Sequence, residues 1–191
     1  MVDENIGTEL PMNYFERIST TLGSLPLDKI EFLINRIKDL ETSKGTVYVI
    51  GNGGSAALAN HFVTDIGVGG LKYGKTINAV SLVCNISSLT ASANDFGYQY
   101  VFSRELEIKS LSAEDLLITI SSSGDSLNLI EAVYTAKRRG IETFAILGFD
   151  GGQLKSLVDD YVLIKSDIGE YGIVEDCHSI ILHSIAEKLR L

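Results

Sequence analysis

Residues 46–56 read Thr46-Val-Tyr-Val-Ile-Gly-Asn-Gly-Gly-Ser-Ala56, an apolar β-branched run that breaks at glycine and opens a helix-forming stretch carrying His61 and Asp65. A short apolar run closed by a glycine turn reads as a buried strand, and a strand that leads directly into a helix is half of a parallel β-α-β unit. The turn also lets backbone approach an anion closely, because the following helix aims free N–H groups and the positive end of its dipole at that point. The junction therefore predicts an α/β fold and a phosphorylated ligand together.

Downstream the same alternation recurs. Strands are expected near Val47–Ile50, Ile77–Val83, Leu116–Ile120, Thr143–Gly148 and Tyr161–Lys165, continuous apolar runs of the kind seen when helices cover both sheet faces. Helices are expected from Ser55 to Ile66, Ile86 to Ala93, Tyr98 to Ser110, Ser126 to Arg139 and Ile173 to Leu189, with Gly140 as the C-cap of the fourth. Upstream, Leu27, Ile30, Leu33, Ile34, Ile37 and Leu40 recur at helical spacing behind Pro26, and Met12, Phe15, Ile18 and Leu22 form a weaker stripe. Residues 1–44 thus supply two N-terminal helices to an α/β core over 45–191, within a single domain. Those helices either cover the sheet or pack against copies of themselves.

At 191 residues the chain can bury a sizeable core without metals or disulfides. No apolar run approaches a membrane span, and Met1 to Pro11 is acidic and lacks the pattern of a signal peptide, so a cytoplasmic location and no membrane partner are expected. The net charge of −9 opposes direct binding to nucleic acid or an anionic membrane, which would need a positive field. Cys84 and Cys177 suggest no disulfide framework, and both are expected to be small buried apolar residues.

The turn Gly51-Asn-Gly-Gly-Ser-Ala56 also satisfies the dinucleotide pattern G-x-G-x-x-A. That fold needs an acidic residue at the end of the second strand to hold the ribose; here the strand ends Ser81-Leu-Val-Cys-Asn85, so no nicotinamide is expected. A second loop, Ile120-Ser-Ser-Ser-Gly-Asp-Ser126, again joins an apolar run to a helix. Ser121, Ser122, Ser123 and Ser126 can offer hydroxyl donors to phosphate oxygens beside the amides of that helix. Alternatively, Asp125 or Ser126 merely caps the helix and the other serines are turn residues.

His61, His178 and His183 fall in just two segments, the helix after the glycine turn and the C-terminal helix. Helical spacing puts His61 and Asp65 on one face, which suits a metal, a proton-transfer pair or an ordinary surface pair. Asp176 and His183 share a face at i+7, whereas Glu175 diverges from His183 by roughly a quarter turn at about 100° per residue, and His178 lies off that face. Asn94 and Asp95 read as a helix stop followed by a cap, or as groups that meet substrate hydroxyls.

Gly-Asn-Gly-Gly-Ser at 51–55, His61, Asn-Asp-Phe-Gly at 94–97, the serine loop at 121–126 and the Glu175 to His183 helix together resemble the sugar isomerase (SIS) fold, and within it the phosphoheptose isomerases. The resemblance spans roughly residues 45 to 189. It implies a three-layer, flavodoxin-like α/β sandwich with a five-stranded parallel sheet, and a homotetramer with active sites shared between subunits, the N-terminal helices helping to build its core. It also implies interconversion of sedoheptulose 7-phosphate and D-glycero-D-manno-heptose 7-phosphate through an enediolate, a committed step toward heptose units of surface polysaccharides.

By the same resemblance, Ser55, Ser121, Ser122, Ser123 and Ser126 grip the phosphate and Asn52 and Asp95 sit near the sugar, with Gly53, Gly54, Asn94 and Glu175 as further substrate-binding residues. Asp65 is the base and His183 the acid or ring-opening partner. Some members bind zinc through the positions matching His61, Asp65, Glu175 and His183, so a divalent metal is expected there. The chain departs from the family at three of its positions: Asp65 replaces a glutamate, Glu175 a glutamine and Gly172 an aspartate. One methylene fewer at 65 withdraws the carboxylate by roughly 1–1.5 Å, and a shift of that size can cost about a hundredfold in rate. An isomerase of another ketose phosphate, or a non-catalytic binding protein like the DnaA initiator-associating protein, are the alternatives. His61, an acid at 65 and His183 argue against the second.

Overall fold

The apolar run after Gly45 forms the strand on which the sheet is founded. The structure, a computed structural model, describes residues 6–191; the side chains of Met1 to Pro11 and of Met12 lie outside the described residues. Two helices, α1 (Ile6–Gly23) and α2 (Leu27–Ser43), precede β1 (Thr46–Gly51). There follow α3 (Gly53–Ile66), a single turn α4 (Val68–Leu71), β2 (Asn78–Ser81), α5 (Ile86–Phe96), a 3-10 turn at Tyr98–Tyr100 and α6 (Val101–Glu107). The second half runs β3 (Leu116–Ser121), α7 (Leu127–Arg138), β4 (Glu142–Phe149), a single turn α8 (Leu154–Leu157), β5 (Asp160–Lys165) and α9 (Tyr171–Arg190).

All five strands are parallel, in the order β2-β1-β3-β4-β5. Side chains alternate between the faces, and helices bury both. Val47, Val49, Ile118, Phe144 and Ile146 pack under α2, α3 and α9, while Tyr48, Ile50, Leu117, Ala145 and Leu147 pack under α6 and α7. Every residue of β1 and β3 is buried, which accounts for their largely apolar runs. In α2, Leu33 and Ile37 are wholly buried against the sheet. Each such side chain contributes roughly 1.5–3 kcal/mol, so α2 is part of the core.

The first crossover carries the chain from β1 to β2 on one side, and the next returns it to β3 on the other. Ligands of open α/β sheets bind in the crevice left at such a reversal, at the C-terminal strand ends. Here it lies between the ends of β1 and β3, where Gly51 pairs with Ile120.

The structure corrects several expectations. β2 is only Asn78–Ser81: it is an edge strand paired with β1 alone, and Asn78 is exposed. Contrary to expectation, Cys84 is exposed in the loop after β2, donating to Asn60 Oδ1 at 2.9 Å; Cys177 is buried as expected. Asn94 and Asp95 do not stop a helix, since α5 runs through them to Phe96 and ends at Gly97, whose φ of 97° an L side chain would resist. The helix expected over Tyr98–Ser110 is the 3-10 turn and the shorter α6. Gly140 lies just beyond the cap residue Arg139 at φ 73°, where Ile141 N–H donates to Ala136 O in a Schellman closure. Among the described residues, no helix is long and apolar enough to cross a membrane.

Candidate active site

At the end of β1 the chain turns so tightly that a Cβ on Gly51 would lie 2.7 Å from the Ser55 backbone. Asn52 then occupies the N-cap of α3 with extended dihedrals but makes no capping hydrogen bond. Its amide turns across the crevice to Asn128 on α7. Gly53 and Gly54 are exposed at the first turn of α3, and Ser55 is buried behind them.

The end of β3 meets this turn. Ser121 Oγ accepts from Gly124 N–H at 3.0 Å, and Ser123 Oγ accepts from Asp125 N–H at 3.3 Å, which folds the serine loop upon itself. Gly124 has φ 70°, and a Cβ there would lie 2.0 Å from Gly151 O, so the loop rests directly on the backbone after β4. Ser126 stands at the N-cap of α7 without a capping bond, and the Asp125 carboxylate instead accepts from Gln153 N–H at 2.9 Å. Helix capping therefore does not account for these side chains. The two loops enclose a cavity of about 160 Å³ lined by Asn52, Ser55, Ser121, Ser122, Ser123 and Ser126, with Tyr171 and Glu175 on its α9 side. Ser122 Oγ is buried in this wall with no hydrogen-bond partner. A buried hydroxyl left unpaired costs free energy unless a ligand supplies the partner, and a phosphate oxygen would do so.

α3 and α9 run side by side in the same sense. At their N-terminal ends, a Cβ on Gly54 would lie 2.7 Å from Glu175 Oε2, so the missing side chain makes room for that carboxylate. Further along, His61, Asp65 and His183 bring ligand atoms within 4.8 Å of one another. Asp65 Oδ2 lies 3.6 Å from His61 Nε2 and 3.8 Å from His183 Nε2, and the imidazoles meet edge to face with centroids 4.9 Å apart. Two imidazole nitrogens and one carboxylate form a cluster able to hold a metal ion. Glu175 is not in this group. Eight residues of helix, about 12 Å, separate it from His183, and it lines the serine cavity instead.

Asn94 and Asp95 sit exposed at the end of α5, where Asn94 Nδ2 donates to Asp95 Oδ1 at 2.8 Å, and neither lines the cavity. His178 is fully buried on the opposite side of α9 from the exposed His183. Burial drives its pKa down to about 4, against an opposing upward effect of the Leu147 backbone. Burial likewise pushes the Cys177 thiol up to about 11, so neither group is suited to proton transfer near neutrality.

Three residues complete the site without having been singled out in the sequence. Asn128 is 2% exposed and Tyr98 donates to Asn52 Oδ1 at 3.0 Å; both are brought to the glycine turn by tertiary structure, with no local signal. Arg190 reaches Asp65 from the last turn of α9, and its i+7 spacing from His183 was visible in the sequence.

The sequence profile of the SIS domain matches residues 13–148. The chain is 38% identical to the probable phosphoheptose isomerase of Thermoplasma acidophilum, over 92% of this chain and 95% of that one. It is 35% identical to a phosphoheptose isomerase of Helicobacter pylori, over 98% and 95% of the two chains. Its fold superimposes on the structure of phosphoheptose isomerase from Neisseria gonorrhoeae with a TM-score of 0.84 at 27% identity, covering 96% of this chain and 98% of that one.

Proposed function

This chain belongs to the SIS domain family, and on that premise we propose that it is a phosphosugar aldose-ketose isomerase converting sedoheptulose 7-phosphate to D-glycero-D-manno-heptose 7-phosphate. The observation that carries the reading is the cavity at the β1 and β3 ends, with its unpaired Ser122 hydroxyl, on the same helix pair as a carboxylate flanked by two imidazoles. Six residues of α3 separate Ser55 from His61, a rise of about 9 Å, comparable to an extended seven-carbon sugar phosphate.

Ser55, Ser121, Ser122, Ser123 and Ser126, with the amides of Gly53 and Gly54, grip the phosphate at the start of α3 and α7, where both helix dipoles favour the anion. Asn52 and Glu175 meet the sugar beside it. Asp65 removes a proton from the carbon next to the carbonyl, the enediolate forms, and His183 acts as acid toward the developing oxygen charge while a proton returns to the neighbouring carbon. The two imidazoles lie 3.6 and 3.8 Å from Asp65 Oδ2, beside the place where the proton is exchanged.

His61, Asp65 and His183 also fit a divalent cation, zinc by this donor set; such an ion would supply Lewis acidity at the carbonyl, and Asp65 and His183 would then serve as its ligands in place of base and acid. The exposed Asn94 and Asp95 suit a sugar bound at a site completed by another subunit, as does the exposed Phe15 of α1 for helix packing between copies. We assign the whole chain to one SIS domain, assembled as a homotetramer and working in the cytoplasm.

Incubation with a panel of ketose phosphates in deuterated water, followed by NMR, tests the reading. Deuterium incorporation and heptose 7-phosphate formation are expected with sedoheptulose 7-phosphate. No exchange with any substrate would leave a binding protein, and turnover of a different sugar alone would overturn the heptose assignment.

A further inference from the structure

A cation lies at the foot of the His61, Asp65 and His183 group. Arg190 Nη2 is 3.6 Å from Asp65 Oδ1, whereas both imidazoles approach Oδ2. The two oxygens of one carboxylate thus have different partners, a permanent cation on one side and two neutral-or-charged rings on the other.

Several features show that the guanidinium has a built place. Its side chain is only 21% exposed, although it belongs to the last turn of α9. Nη2 lies 3.1 Å from where a Cβ on Gly69 would stand, so the bare backbone of α4 forms its seat. The Tyr73 ring is 5.9 Å from Cζ, and Nη1 donates to Glu187 Oε1 at 2.7 Å. Nε is buried with no hydrogen-bond partner. A surface arginine free to choose its position would keep that N–H in water, so the ion contact with Asp65 and the packing at Gly69 and Tyr73 must outweigh its loss.

We infer that Arg190 is a positioning residue for the isomerisation: it holds Asp65 Oδ1 and so keeps Oδ2 turned toward the two histidines. The inference rests on the isomerase reading above. A carboxylate on a short stem can rotate and exchange its oxygens, and an error near 1 Å in the placement of a base costs about a hundredfold in rate. The tether fixes that rotation from outside the reacting centre. Arg190 does not line the serine cavity, so phosphate binding does not depend on it.

The test uses the full chain and the variants Arg190→Met and Arg190→Lys. Kinetics with the ketose phosphate should show kcat reduced about 10- to 100-fold in Arg190→Met, KM and inhibition by inorganic phosphate within about twofold, and partial recovery in Arg190→Lys. An unchanged kcat overturns the inference, and so does a KM or phosphate inhibition that shifts along with kcat. Crystal structures of the parent and Arg190→Met read the carboxylate independently of turnover. A single Asp65 orientation in the parent and a rotated or divided one in the variant are expected, and the same single orientation in both sinks the proposal. A parent without turnover removes the isomerase reading, while the two crystal structures still decide whether Arg190 sets the carboxylate.

Discussion

The side-chain amides of Asn52 and Asn128 hydrogen-bond each other twice, Asn52 Nδ2 to Asn128 Oδ1 at 2.9 Å and Asn128 Nδ2 to Asn52 Oδ1 at 2.8 Å. This closed amide pair ties the glycine turn after β1 to the helix after the serine loop. Its strength comes from burial, because Asn128 is excluded from water and the amides have few other partners.

Replacing Asn128 with Leu should therefore act on both loops at once. Stability is expected to fall by about 1 kcal/mol, as read by urea unfolding, because the Asn52 amide left behind is half-buried and its Oδ1 keeps the Tyr98 hydroxyl. KM for the sugar phosphate should rise while kcat changes less. A double variant with Asn52→Ala should cost less than the sum of the two single changes, and additivity would show that the pair does not act as a unit.

Ser122→Ala separates ligand binding from stability. Its hydroxyl has no partner in the free protein, so the variant should be as stable as the parent within about 0.5 kcal/mol. Affinity for inorganic phosphate, measured by calorimetry, should drop about 10- to 100-fold, since a hydrogen bond to a charged group contributes about 1.5–3 kcal/mol. A stability loss with unchanged affinity would contradict the place given to this residue.

Two glycines should respond differently to alanine. In Gly124→Ala the new methyl meets backbone, at 2.0 Å from Gly151 O and with φ at 70°, so a loss of more than about 3 kcal/mol and collapse of phosphate binding are expected. In Gly54→Ala it meets only the mobile end of Glu175, at 2.7 Å from Oε2. That variant should fold normally, with the melting temperature nearly kept and turnover reduced.

His178 predicts an acid-sensitive fold. Its folded pKa of about 4 lies below the ordinary 6.5, so the unfolded chain binds the extra proton first. Its contribution is present in full above about pH 6.5 and is lost as pH falls toward 4, roughly 2 kcal/mol between pH 7 and pH 5. Urea midpoints at both pH values should show this loss in the parent and a flatter profile in His178→Asn. An equal slope in both proteins would place the acid sensitivity elsewhere.

The alternation of apolar runs with helical periods carried the sheet, since β1 and β3 are buried on both faces and admit only a few polar side chains, Thr46, Thr119 and Ser121. What escaped was edge and connection detail. β2 has one sheet neighbour, so its short pairing was not encoded in the longer apolar run over Ile77–Val83. Gly97 alone signalled the end of α5, and the local turn character of Asn94 and Asp95 concealed it. In the site, the two loops were legible because anion binding needs backbone and hydroxyls at strand ends. Asn128 and Tyr98 were not, because an amide pair across the crevice has no sequence period. Glu175 took a position governed by the vacancy at Gly54, which helical spacing alone does not reveal.

The pairing of Gly51 with Ile120 makes the cradle a product of long-range assembly. Neither loop is anchored opposite the other until the chain between them has folded and both strands have docked, so a phosphate ligand recognises only the finished sheet. Such a ligand should leave the refolding rate almost unchanged and slow unfolding, because its contacts are absent from an early transition state. At a concentration a hundred times its Kd it would add about 2.7 kcal/mol of protection, making resistance to proteolysis a direct count of correctly assembled molecules.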